Sequence, residues 1–246
     1  MEGFPIAEHD HTPQAIRARL AAGPRLSYLR DWVYGGIDGS VTTFAVVAGV
    51  VGAHLSTEVI LILGIANLLG DGFSMAASNY SGTRTERQEI DALRQQERRH
   101  IAANPEGERE EVRQIFAATG FAGEELERAV NVVASDEERW IRFMLTEEYG
   151  LPSQIRSAFV AAMSTFSAFL LCGLVPLLPF VFNLPHPFAL SLAMTLGVFF
   201  GIGSAKSRWL LASWWRAGLE TLVIGSIAAA LAFAAGVVIS RVSISS

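Results

Sequence analysis

Apolar residues gather along the chain into five stretches, at 32–53, 59–80, 155–182, 187–206 and 219–240. Each approaches the roughly 20 helical residues needed to cross a bilayer core of about 30 Å. The first two carry many glycines and polar side chains, the pattern of helices inside a bundle rather than facing lipid. Pro176 and Pro179 are expected to kink or end the third. Between the second and third stretches the pattern changes, and 81–156 holds 16 acidic and 11 basic residues. Its helix signals are a Glu-rich run at 85–102, a break at Asn104-Pro105, a short helix to about Thr119, a Gly120/Gly123 break, and a third helix to Tyr149-Gly150. The expected fold is therefore an all-α membrane protein with five transmembrane helices and an acidic three-helix module inserted between the second and third. The expected domains are an N-terminal segment 1–30, helices one and two at 31–80, the module at 81–153, and helices three to five at 154–246.

Composition narrows the function classes. The 246 residues are 51% hydrophobic and only 17% charged, against about 25% charged in an ordinary soluble domain. A net charge of −5 gives a polyanion no net attraction, which argues against nucleic-acid binding. A lone Cys172 in an apolar run excludes a disulfide framework and a Cys-rich metal site. The first 30 residues, with His9, Asp10, His11 and four arginines, hold no apolar core of the signal-peptide kind, so internal segments are expected to insert the chain. With five spans, eighteen basic residues fall on one side: Arg17, Arg19, Arg25, Arg30, the block's eleven arginines, and Lys206, Arg208 and Arg216. Arg241 alone falls on the other. That asymmetry predicts a cytosolic N-terminus and module and a C-terminus on the far side. Arginine outnumbers lysine 18 to 1, a usage of GC-rich bacterial genomes, and so a bacterial plasma membrane is expected.

Ionisable groups inside spans are costly and mark pathways or sites by default. Asp31 and Asp38 are seven residues apart and share one face of the first helix. Asn67, Asp71 and Met75 stand four apart and form one stripe on the second. Oxygen donors with a thioether suit a borderline divalent transition metal. Plainer readings exist for each: Asp31 as a membrane-edge residue beside Arg30, Asn67 and Asp71 as interhelical hydrogen-bonding groups, Met75 as core filler, and Glu220, after Trp214 and Trp215, as an interfacial anchor. In the module, Glu97 with His100, Glu108 with Glu111, and Met144 with Glu148 each share a helix face. Like charges so spaced destabilise a helix, a cost that a bound cation would reverse; the competing reading is a solvated helix surface.

Four motifs in order resemble the vacuolar iron transporter family: Asp-Trp-Val-Tyr-Gly-Gly-Ile-Asp-Gly at 31–39, Gly-Phe-Ser-Met-Ala at 72–76, Pro105-Glu106-x-Glu108-x-x-Glu111-Val112, and Trp140-x-x-Phe143-Met144-x-x-x-Glu148-x-Gly150-Leu151. The match runs from about 28 to 240. The resemblance implies a five-span homodimer that moves Fe²⁺, and often Mn²⁺ and related divalent ions, out of the cytosol in exchange for protons. It implies an ion path at the two-fold interface, with Asp31, Asp38 and Met75 as pore positions, and a metal-collecting module using Glu97, Glu108, Glu111, Met144 and Glu148. It implies divalent ions, protons and lipid as partners, with Zn²⁺ and Co²⁺ as further candidate ions, and neither a resident cofactor nor an enzymatic activity. Three positions depart from the family pattern. Asn67 stands where a pore glutamate is common, and Asp71, one turn on along the same face, is expected to be its proton-carrying substitute; His100 stands for a module glutamate and can protonate near neutral pH; Leu145 replaces the second methionine of a pair. Two rivals remain open at this point: a di-iron ferroxidase built on the Glu97-x-x-His100 spacing, and a metal-sensing membrane scaffold.

Overall fold

The structure, a computed structural model, describes residues 10–23, 26–152, 154–207 and 213–244. Arg25 and Arg208, both used in the orientation argument, and His9 lie outside the described residues, as does the side chain of Arg241. The described elements run α1 (Pro13–Ala22), α2 (Leu29–Gly52), α3 (Thr57–Ala103), α4 (Pro105–Ala118), α5 (Gly123–Ala134), α6 (Glu137–Glu147), α7 (Ala158–Leu174), a 3₁₀ turn (Val175–Leu177), α8 (Leu178–Val181), α9 (Pro187–Lys206) and α10 (Trp214–Ile244). There is no strand among the described residues. Among the described residues, five helical stretches are long and apolar enough to cross a membrane, in α2, α3, the α7–α8 segment Ala158–Val181, α9 and α10. The expected all-α, five-span fold class is thus found.

Two compact units share the chain. One comprises Ser27–Arg84 and the described part of Ser157–Ser246; the other comprises Thr85–Arg156 and the described part of Met1–Leu26.

In the first unit α2 packs against α7, α9 and α10, and glycine makes the approach possible. A methyl group on Gly35 would lie 2.2 Å from the Thr165 carbonyl oxygen, and one on Gly39 would lie 2.4 Å from that of Phe169. Helices in lipid gain nothing from hiding apolar surface and associate through close packing, which small residues permit. A cluster of Val47, Val50, Ile60, Leu68, Phe169, Leu177 and Phe180 fills the remaining space. Several buried hydroxyls are satisfied within their own helices, as in Ser40 to the Gly36 carbonyl at 2.9 Å and Thr195 to that of Ser191 at 2.7 Å, as burial in a bilayer favours. The third span breaks where its prolines remove backbone donors: α7 ends at Leu174 and a 3₁₀ turn follows. Ser191 donates to the Pro176 carbonyl at 2.8 Å, satisfying an acceptor at that break.

The second unit departs from expectation in three details. The run at 85–102 is no separate helix, because α3 continues through 81–84 for 47 residues; a single Gly82 costs only about 1 kcal/mol and no proline interrupts. The expected third helix is two, α5 and α6, because Asp136 caps α6 by accepting from the Arg139 amide at 2.7 Å. Helix α1, which hydropathy does not reveal, starts at the Thr12 cap with Pro13 at its first position. The apolar centre of the unit is Val112, Val130, Val133, Trp140 and Met144. On the outside Arg98 pairs with Glu137 and Glu138, and Arg113 with Glu110 and Glu127. Exposed pairs of this kind contribute about 0.2–1 kcal/mol each, so the apolar centre dominates.

The glycine seam yields a prediction. Gly39→Ala should destabilise the detergent-solubilised protein by about 1–3 kcal/mol, the usual cost of overpacking. Gly49→Ala, with open space at the new methyl, should be neutral or stabilising by up to about 1 kcal/mol. Thermal unfolding of the two variants beside the parent checks both.

Candidate metal centre

Two groups of polar side chains emerge, one in each unit. In the first unit they line the contact between α2 and α3, which run antiparallel. The Asn67 amide donates to Thr42 Oγ1 at 3.2 Å and to Thr43 Oγ1 at 3.5 Å. One turn along, the carboxylates of Asp38 and Asp71 interact electrostatically. Further along, the Asn79 amide donates to Asp31 Oδ1 at 3.0 Å, to Thr165 Oγ1 at 2.7 Å and to the Ala161 carbonyl at 3.3 Å. Paired positions along two antiparallel helices have a constant sum, and these follow that rule.

The structure therefore puts Asp38, Asp71 and Asn67 on one seam. Asp31 is on it too, but 2% exposed and held by Asn79, which differs from the membrane-edge reading. Asp71 is exposed, on a helix whose Leu69 and Phe73 are exposed as well. Met75 is half-buried and packs against the apolar cluster around Phe169. Glu220 pairs with Lys206 at 3.6 Å, in keeping with an interfacial anchor. Asn79 escaped the sequence reading, although it extends the stripe of Asn67, Asp71 and Met75 by one more step of four.

In the second unit, three of the expected ligands converge. His100 Nδ1 lies 3.7 Å from Glu97 Oε1 and 3.5 Å from Glu108 Oε1, and one donor atom from each residue fits within 4.8 Å of the others. Bonds of about 2.0–2.2 Å to a shared ion put donors roughly 3–3.5 Å apart, close to what is found. Helical spacing brings Glu97 and His100 onto one face of α3. The Asn104 cap, accepting from the Gly107 amide at 3.1 Å, starts α4 so that Glu108 returns toward them. Glu97 and Glu108 are 1% and 6% exposed. Their Oε2 atoms are buried without a hydrogen-bond partner. Burying a carboxylate in that way is expensive unless something positive joins it, which separates this cluster from a solvated acidic surface.

Charge repulsion widens the group. Burial, followed by Glu111, Glu97 and Glu148, pushes the Glu108 carboxyl up to about 7, with His100 acting in the opposite sense. Glu148 is raised by burial and by Glu97 and Glu111. Glu111 and Glu148 are exposed and so form the open side of the cluster. Met144 is fully buried in the apolar centre with Trp140 and Val112. Glu148 keeps the helical i, i+4 relation to Met144, its amide donating to the Met144 carbonyl at 2.9 Å, but Met144 is enclosed in the apolar centre while Glu148 is exposed. Leu145 is also buried. Tyr149, which the sequence did not single out, donates its hydroxyl to Glu97 Oε1 at 2.9 Å.

A carboxyl raised from 4.5 to about 7 holds its proton in the fold at pH values where the unfolded chain has lost it, so stability falls as pH rises across that window. The metal-free protein should therefore melt at progressively lower temperature from pH 5 to 7.5. Glu108→Gln should flatten the profile. Mn²⁺ or Zn²⁺ should raise the melting temperature more at pH 7.5 than at pH 5.5, because a metal uses the deprotonated carboxylate. Melting curves of both proteins across this range, with and without each ion, check the three outcomes.

Comparison with known proteins follows the same lines. A family model described as "VIT family" matches residues 29–237. Vacuolar iron transporter 1 of Arabidopsis thaliana is 33% identical over 213 residues, covering 83% of each chain. Vacuolar iron transporter 1 of Eucalyptus grandis is 32% identical over 241 residues, covering 94% of each. Vacuolar iron transporter 2 of Oryza sativa subsp. japonica is 30% identical over 208 residues, covering 83% of this chain and 85% of its own. With five membrane-length helices and a family match over most of its length, the chain is an integral membrane protein of the vacuolar iron transporter (VIT) family, a family of metal ion transporters.

Proposed function

We propose that the protein exports Fe²⁺ from the cytosol in exchange for protons, as a homodimer whose N-terminus and acidic unit are cytosolic and whose C-terminus lies on the far side. The observation that carries the reading is the pair of buried, unpartnered carboxylate oxygens on Glu97 and Glu108 beside His100. Two carboxylates and one neutral imidazole balance a divalent cation and supply the mixed oxygen and nitrogen donors that Fe²⁺, Mn²⁺, Zn²⁺ and Co²⁺ accept. Glu111 and Glu148 act as the entry, drawing ions toward the buried pair.

Cargo then reaches the α2–α3 seam, where Asp38 and Asp71 are the charged donors, the Asn67 carbonyl a neutral one, and the Met75 sulfur a soft one. Protons arriving from the far side neutralise Asp38 or Asp71 and weaken coordination, because a carboxylate must be deprotonated to hold metal. Asp71 takes over the proton-carrying role that Asn67 cannot fill. The exposure of Asp71 on an apolar helix supports the homodimer: a carboxylate facing lipid costs about 2.5–3.5 kcal/mol on insertion scales, and a second copy across the seam would cover it. The iron in the relatives' names supports Fe²⁺ as cargo; their vacuolar naming lends no support to a bacterial plasma membrane.

Purified protein in liposomes should take up Fe²⁺, kept reduced, or Mn²⁺ when the far side of the membrane is acidic, and should slow when the gradient is dissipated. Asp38→Ala should reduce uptake to the level of empty liposomes while leaving the ion-induced rise in melting temperature intact. Uptake indifferent to gradients of either sign would remove proton exchange from the proposal. Unchanged rates in Asp38→Ala would return Asp38 to a packing role.

A further inference from the structure

Among the polar contacts of the acidic cluster, one comes from a residue outside the expected ligand set. Tyr149 sits in the turn after α6, with its amide directed at the Met144 carbonyl at 3.4 Å. Gly150, at φ +65°, turns the chain away immediately after it, a conformation glycine reaches without a side-chain penalty. The Leu151 amide closes the turn on the Leu145 carbonyl at 2.9 Å. The phenol is thus carried on a pinned turn rather than a loose loop, and its hydroxyl donates to Glu97 Oε1 at 2.9 Å.

That bond holds the Glu97 oxygen that also faces His100, whose Nδ1 lies 3.7 Å from Oε1. Oε1 accepts from Tyr149, while Oε2 is buried without a partner. A glutamate side chain has three rotatable bonds, and a buried one with a single fixed oxygen has few orientations left. We infer that Tyr149 is a positioning residue for cation binding, its hydroxyl fixing the Glu97 carboxylate beside His100 and Glu108. The inference rests on the metal reading of this cluster. Tyr149 does not ligate: it acts through Glu97, as donors behind metal-binding carboxylates do in other sites, where their removal costs about 10–100-fold in affinity.

The test uses the full-length protein in detergent, titrated with Mn²⁺ and separately with Zn²⁺, comparing parent, Tyr149→Phe, Glu97→Gln and the double variant. Tyr149→Phe removes one oxygen atom and keeps the ring. It should weaken both ions at least tenfold. In the Glu97→Gln background the same change should alter affinity less than twofold, because the group through which it acts is already lost. Zn²⁺ absorbs no near-ultraviolet light, so a tyrosine difference signal on its addition to the parent, absent in Tyr149→Phe, gives a second readout. A Tyr149→Phe protein that melts earlier but binds both ions with parental affinity would overturn the inference and leave the metal reading standing. A parent that binds neither ion, or binds them with no loss on Glu97→Gln, would overturn both. An equal loss in both backgrounds would show that Tyr149 acts independently of Glu97 and would also overturn the inference.

Discussion

Backbone contact between α2 and α7 is the constraint on which the membrane unit depends. Gly35 and Gly39 bring α2 so close to the Thr165 and Phe169 carbonyls that any side chain there would collide with main chain rather than with a movable rotamer. The same positions bracket Asp38. A helix pinned on one side by glycine cannot rotate to move its carboxylate, so Asp38 is held toward α3 and Asp71. Gly203 repeats the device between α9 and α10, where a methyl group would lie 2.3 Å from the Ala217 carbonyl oxygen. The small residues that make the spans look weakly hydrophobic are therefore the ones that fix their packing.

The acidic unit is organised on the opposite principle. Its apolar centre is small, α4, α5 and α6 are short, and its polar cluster is destabilising by itself. Two carboxylates buried side by side, with Glu111 and Glu148 adding repulsion from the open edge, persist because Val112, Val130, Val133, Trp140 and Met144 hold the helices together. Met144 belongs to that framework, which explains why a methionine at a ligand-like spacing is fully enclosed.

Hydropathy and charge made the spans and the acidic block legible, because both signals add over twenty or more residues. Helical spacing likewise made legible the pairs lying within one helix, such as Glu97 with His100, and the stripe on α3. What escaped depends on single contacts. The split between α5 and α6 turns on one Asp136 cap, inside a stretch whose charge pattern continues unbroken. The burial of Asp31 depends on Asn79, which lies 48 positions away. The hydroxyl of Tyr149 reaches Glu97 across 52 positions, a pairing that no local periodicity encodes.

The four-residue spacing of Asn67, Asp71, Met75 and Asn79 makes the polar face of α3 nearly self-similar under a shift of one turn. Opposite Asp38 now stands Asp71. Displacement of α3 along α2 by one turn, about 5.4 Å, would present Asn67 in one direction and Met75 in the other. An acid, an amide or a thioether would meet the carboxylate in every register. The seam is thus a vernier, in which neighbouring settings differ in charge and softness but not in having a donor.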